Sequence, residues 1–193
     1  MRGDTAAESA YSLAPAASLI LTPMDPTRSY SAITKADLRR LARIAEEERE
    51  DFFSRHPEWS ILYGKRVLGS ALAGDAALHY VNGATGLKEF GVWTFYAEHP
   101  DAPFPFQRMT YADFGKSKFG RAPDLPETYQ GRRVELQGRS IDALPGDDTL
   151  WAVQQYLKAG ASISARELAS KGIVLLEPDV LLGIVAWPTL ALS

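Results

Sequence analysis

The sequence predicts an α+β domain, a mixed β-sheet flanked by helices. Three observations predict it. Segments 87–96, 108–114 and 132–139 gather β-branched, aromatic and aliphatic residues in strand-length runs. Helical patterns with start signals lie on either side of them, after Thr34 and after Asp148. The joining stretches are rich in Pro and Gly, and neither an internal repeat nor a heptad pattern is present, so strands and helices interleave within one unit.

Residues 1–32, rich in Ala, Ser, Pro and Thr, are expected to form a flexible arm, leaving 33–193 as a single domain. Thr34 and Asp37 make a capping box with Asp in place of the usual Glu or Gln. The helix it opens carries Leu38, Leu41, Ala45 and Phe52 at helical spacing, with Glu46 to Arg49 on a charged outer face. His56-Pro57 is expected to end it, because a residue before proline avoids the α region. Segment 66–72 reads as a short strand running into a turn at Gly74, and a short helix follows through Leu78 and Tyr80. Segment 87–96 is the clearest strand. Residues 97–107 carry three prolines and form a loop, followed by strand candidates 108–114 and 132–139. Asp148 or Thr149 caps a helix through Trp151, Val153, Tyr156 and Leu157. Ser164 with Glu167 forms a second capping box for a short helix. Apolar runs 173–176 and 184–187, bounded by Pro178 and Pro188, complete a C-terminal extension of helix and strand.

The chain of 193 residues is long enough to bury a core, and 23% charged with 46% apolar residues is a globular composition. A net charge of −3 gives no general attraction to nucleic acid, so any such binding needs a local basic patch. With no cysteine, disulfides and thiolate metal sites are excluded. The run SLAPAASLIL resembles a signal h-region, but Asp4 and Glu8 stand where a basic segment is required and Pro15 interrupts it. No apolar run approaches membrane-spanning length, and the reading is a soluble, cytoplasmic protein without a membrane partner.

Residues 74–93, GDAALHYVNGATGLKEFGVW, carry the most information. A turn at Gly74, a helix, a Gly-rich loop and an acid at a strand start follow one another. This order resembles the core motif of nucleotidyltransferase-fold proteins. It is closest to the branch found among abortive-infection toxins, whose pattern runs roughly G-G-x-A-L, a helix, a Gly/Arg loop, then D-x-D. Gly74, Ala77 and Leu78 fall on the first part, Glu89 on the first aspartate and Gly91 on the second. Glu135, in G-R-R-V-E-L-Q-G-R, falls on the later apolar-acid-apolar strand. The strings V-W-T-F-Y, D-F-G-x-S-x-F-G-R and G-R-R-V-x-L are similar to those of other bacterial proteins of this fold. The resemblance covers roughly residues 64–140.

It implies a nucleotidyltransferase-like sheet and Mg-dependent transfer of a nucleoside monophosphate, from a nucleoside triphosphate to a protein or RNA acceptor. Glu89 and Glu135 are then the metal ligands and catalytic carboxylates, with Asp113 as a third acid if its strand neighbours that of Glu89. Magnesium needs hard oxygen ligands, and a D-x-D pair supplies two because residues two apart on a strand share a face. Gly91 removes one ligand, so transfer is expected to be weak or absent. The alternative is a noncatalytic nucleotide-, RNA- or protein-binding regulatory module on the same fold. Gly74 and Lys88 are assigned to nucleotide binding. So are Lys116, Lys118 and Arg121 of the loop D-F-G-K-S-K-F-G-R, where glycines free backbone amides, lysines supply charge and Phe119 offers a stacking ring. That loop lacks the first glycine of a P-loop, where Thr110 stands. No G-x-S-x-G, H-E-x-x-H or G-x-G-x-x-G is present. His79 is expected to pack within its helix.

Overall fold

A computed structural model describes residues 25–105 and 108–188. Helix α1, Lys35–Arg55, opens on the expected box: the Asp37 amide donates to the Thr34 hydroxyl and the Thr34 amide to the Asp37 carboxylate. His56 ends α1, but Pro57 starts a further helix, α2, Pro57–Tyr63. Proline's fixed φ and missing N–H suit a first helical turn as well as they break an interior, so one residue serves both roles. Then follow β1, Val67–Ala73; α3, Gly74–Asn82; β2, Phe90–Ala97; β3, Met109–Asp113; and β4, Arg133–Ile141. The C-terminal part supplies α4, Thr149–Ala159; α5, Ile163–Ala169; β5, Ile173–Leu175; and β6, Val185–Trp187.

The six strands form one mixed sheet in the order β3-β4-β2-β1-β5-β6. β2 runs antiparallel to β1 and parallel to β4. The expected neighbourhood of 87–96 and 132–139 is therefore present, while 108–114 lies one strand further out, paired with β4 alone. Alternation sorts the two faces. Phe90 and Val92 of β2 and Val134 and Leu136 of β4 pack with Leu38, Leu41 and Ala45 of α1 and Ala76 and Ala77 of α3. Phe95 and Ala97 pack on the opposite face with Ala152, Val153 and Leu157 of α4 and Leu168 of α5. An aromatic group of Phe52, Tyr63, Tyr96 and Phe104 closes the far end of the first face, with Tyr96 and Phe104 stacked 4.2 Å apart.

Two expectations shift. Asp148 caps α4 as anticipated, accepting from the Trp151 amide, but the cap of α5 is Ser162, which accepts from the Ala165 amide. Ser164 sits within the helix and accepts from Arg139 of β4 at 2.9 Å instead. Part of the predicted arm, residues 25–32, is tied to the domain. Ser29 bridges Leu87, and Arg28 donates to Asp75 at 3.0 Å; residues 1–24 lie outside the described residues. Among the described residues no helix is long and apolar enough to cross a membrane.

Candidate functional site

Over its first half β4 is apolar on one face only. Val134 and Leu136 enter the core, whereas Arg133, Glu135 and Gln137 point to the other side, where α4 and α5 cover β1 and β5 but leave the first residues of β2 and β4 open. Because β2 and β4 are parallel and β1 is antiparallel to both, the end of β1 meets the starts of the other two. Ala73 is opposite Gly91, and Gly91 is opposite Glu135. A cleft of about 390 Å³ results. Its floor is Ala73, Gly91 and Trp93, its acids are Asp75, Glu89, Glu135 and Glu167, and its cations are Lys88 and Lys171. Gly74 starts α3 at its rim with φ of 72°, a left-handed conformation that strains any residue with a Cβ.

The expected acids come together with an unexpected partner. Arg133 donates through Nε to Glu89 Oε2 at 2.9 Å, its Nη2 also meets that oxygen, and Nη2 lies 3.0 Å from Glu135 Oε1. The guanidinium plane rests over the Tyr111 ring, 5.0 Å from its centre. Burial, followed by the neighbouring Glu89 charge, pushes the Glu135 carboxyl above its ordinary range, and Arg133 only partly offsets this. The hydrogen bond to Glu89 in turn raises the Arg133 guanidinium. Asp75, in the first turn of α3, is held below the usual carboxylate range. Burial pushes it up, but Lys171 at 2.7 Å and Arg28 outweigh that.

This donor set does not fit a magnesium site. Gly91 offers no ligand, and the two glutamates share one guanidinium. Among the described residues no group of three or more His, Asp or Glu side chains is placed to hold a metal ion.

The remaining expected residues stand elsewhere. Asp113 accepts the amides of Gly115, Gln130 and Gly131 at 2.7–3.0 Å, which outweigh its burial and hold its carboxyl low; it pins a loop and does not line the cleft. Lys116, Lys118 and Arg121 do not border the cleft, and Lys88 alone of the expected cations does. The loop that carries them folds onto α1 instead: Lys118 pairs with Asp37 at 2.7 Å, and Arg40 donates to the Lys116 carbonyl at 3.4 Å. Phe119 is 2% exposed and offers no stacking surface. His79 is 1% exposed; its Nδ1 accepts from the Gly86 amide and its Nε2 donates to the Ser31 carbonyl, so it ties α3 to two loops.

Asp75, Trp93, Glu167 and Lys171 line the cleft and Arg133 pairs with two of its acids, and the sequence reading singles out none of them. Arg133 was within reach of it, since two-residue spacing puts it on the Glu135 face of a strand. Glu167 and Lys171 arrive through α5, some thirty residues beyond the motif. Comparison with protein-family models, curated proteins and solved structures returns no match.

Proposed function

We propose that this chain is a nucleotidyltransferase-like module that binds a nucleoside or mononucleotide in the Gly74–Glu135 cleft and does not transfer it. One observation carries the reading: the Arg133 guanidinium lies between Glu89 and Glu135, on a sheet position where Gly91 supplies no third carboxylate. In the fold that the motif resembles, a divalent cation neutralises these acids and draws in the triphosphate. Here one internal cation pairs with both acids, which leaves no positive charge over for a ligand.

The lining supports a ligand of low negative charge. Four carboxylates face two lysines, and Lys171 is already paired with Asp75. A triphosphate entering without metal meets net repulsion, whereas hydroxyls and base N–H groups find acceptors in Glu167 and Gln137. Trp93, half-buried on the floor, offers a face for a base.

Calorimetry with each nucleoside, monophosphate and triphosphate, with and without Mg²⁺, tests this. Binding is expected to be independent of Mg²⁺ and no tighter for triphosphates than for monophosphates. Mg²⁺-dependent transfer of labelled nucleotide to any acceptor would overturn it.

A further inference from the structure

A second surface stands apart from the cleft. Lys35, Arg39 and Arg43 follow one another at four-residue spacing along α1, so they form one row with side chains roughly 6 Å apart along the axis. All three are exposed, and none has an ion pair or hydrogen bond through its side chain among the described residues. The loop carrying Lys116 is held against the same end of the helix by Arg40, and Lys116 is likewise exposed and unpartnered. The one acid in the first turn, Asp37, is taken up by Thr34 and Lys118.

This arrangement works against the helix that bears it. Like charges four residues apart repel, and cations in the first turns oppose the helix macrodipole. After Asp37 the next acids of α1 are Glu46 and Glu47, a turn past Arg43, so Lys35 and Arg39 have no facing acid on the helix, and the whole chain is acidic at −3, so a basic face is not a by-product of composition. A polyanion lying along the row relieves both costs.

We infer that the row Lys35, Arg39 and Arg43, with Lys116 on the loop that Arg40 holds beside it, binds the phosphodiester backbone of a nucleic acid duplex. Single strands are held by base stacking, and the aromatic rings of this loop, Phe114 and Phe119, are 0% and 2% exposed. An anionic membrane calls for apolar side chains beside the basic ones, and those of α1 here, Leu38, Leu41 and Ala45, are in the core. What remains is a row of point charges suited to phosphates and indifferent to sequence. The inference is independent of the cleft and of any ligand there.

The test is fluorescence anisotropy of the full chain with a labelled DNA duplex of about 20 base pairs at several salt concentrations between roughly 50 and 200 mM. The parent is expected to bind with a log–log salt slope of about −3 to −4, near −0.9 per phosphate contacted. Lys35→Ala/Arg39→Ala/Arg43→Ala/Lys116→Ala is expected to lose at least tenfold in affinity and most of the slope, with a thermal melt at or above that of the parent. Lys116→Glu alone gives the same direction should the fourfold variant fail to fold. Lys65→Ala/Lys158→Ala, exposed lysines elsewhere, is expected to match the parent. Parent binding that is absent, unaltered in the patch variants, tighter for a single strand, or seen only for vesicles of phosphatidylserine and phosphatidylcholine would overturn the assignment.

Discussion

Gly91 of β2 stands directly across from Glu135 of β4, and a Cβ at Gly91 would meet only the Ala73 carbonyl oxygen, at 3.4 Å. The backbone therefore has room for a side chain that the sequence does not supply. What limits metal binding here is chemistry rather than space: a ligand is missing on one strand and a cation is built in on the next.

Restoring the ligand alone is expected to do little, because Arg133 still bridges Glu89 and Glu135. Gly91→Asp/Arg133→Met combines a third carboxylate with removal of the guanidinium. The double variant is expected to bind Mn²⁺ at least tenfold more tightly than the parent in calorimetry, and Gly91→Asp by itself much less. Equal affinities in all three folded proteins would mean that these positions do not converge on one ion.

Glu135 gives a pH signature. Its carboxyl is raised in the folded protein, so the folded state holds this proton more tightly than the unfolded chain does. That contribution favours folding at low pH and is lost as pH rises from the ordinary carboxyl range through the raised value. Glu135→Gln is expected to melt at a higher temperature than the parent at neutral pH, with the gap narrowing towards pH 4. A gap that is constant with pH would show that Arg133 fully compensates the burial of Glu135.

Asp113 is expected to act in the opposite sense. Its carboxyl is depressed, so its stabilisation is present above the ordinary value of 3.8 and is lost as pH falls through the lower folded value. Asp113→Ala leaves three loop amides without their acceptor and is expected to destabilise by about 2 kcal/mol at neutral pH while flattening the acid limb of the stability curve. Denaturant titrations at pH 7 and at acid pH read both effects; loss of nucleotide binding without loss of stability would instead place Asp113 in the cleft.

Arg49 and Glu177 form a two-pronged pair at 3.0 and 3.1 Å, with side chains only 12% and 22% exposed. Burial alone would lower the Arg49 guanidinium, yet Glu177 raises it overall. Arg49→Met strands the Glu177 carboxylate between α1 and the chain after β5 and is expected to cost about 3 kcal/mol. Arg49→Met/Glu177→Gln is expected to recover much of that loss. A double variant no more stable than the single one would show that the arginine acts through packing.

Periodicity and local signals made most of the architecture legible. The Thr34–Asp37 box, the run from Leu38 to Phe52, and the strands around Val92 and Val134 depend on residues close in sequence, whose energetics a single segment contains. The end of α1 at His56 was legible while the start of α2 at Pro57 was not, and the cap of α5 falls at Ser162 rather than Ser164, because Pro57 and Ser164 each fit two local solutions. Neighbours in space chose between them, as Arg139 did in drawing the Ser164 hydroxyl away from a cap.

The site divides along the same line. That Glu89, Gly91 and Glu135 share one place was an implication of the resemblance carried by the order of turn, helix and strand, and so was the reading of Gly91 as a missing ligand. Which cation stands between the glutamates was decided by the parallel pairing of β2 with β4, which brings Arg133 within 3 Å of both acids. The fate of Lys118 was likewise decided by the packing of its loop on α1, where Asp37 was the nearer charge. Charge pairing depends on distance through space, and sequence spacing reports that distance only within a helix turn or along one strand.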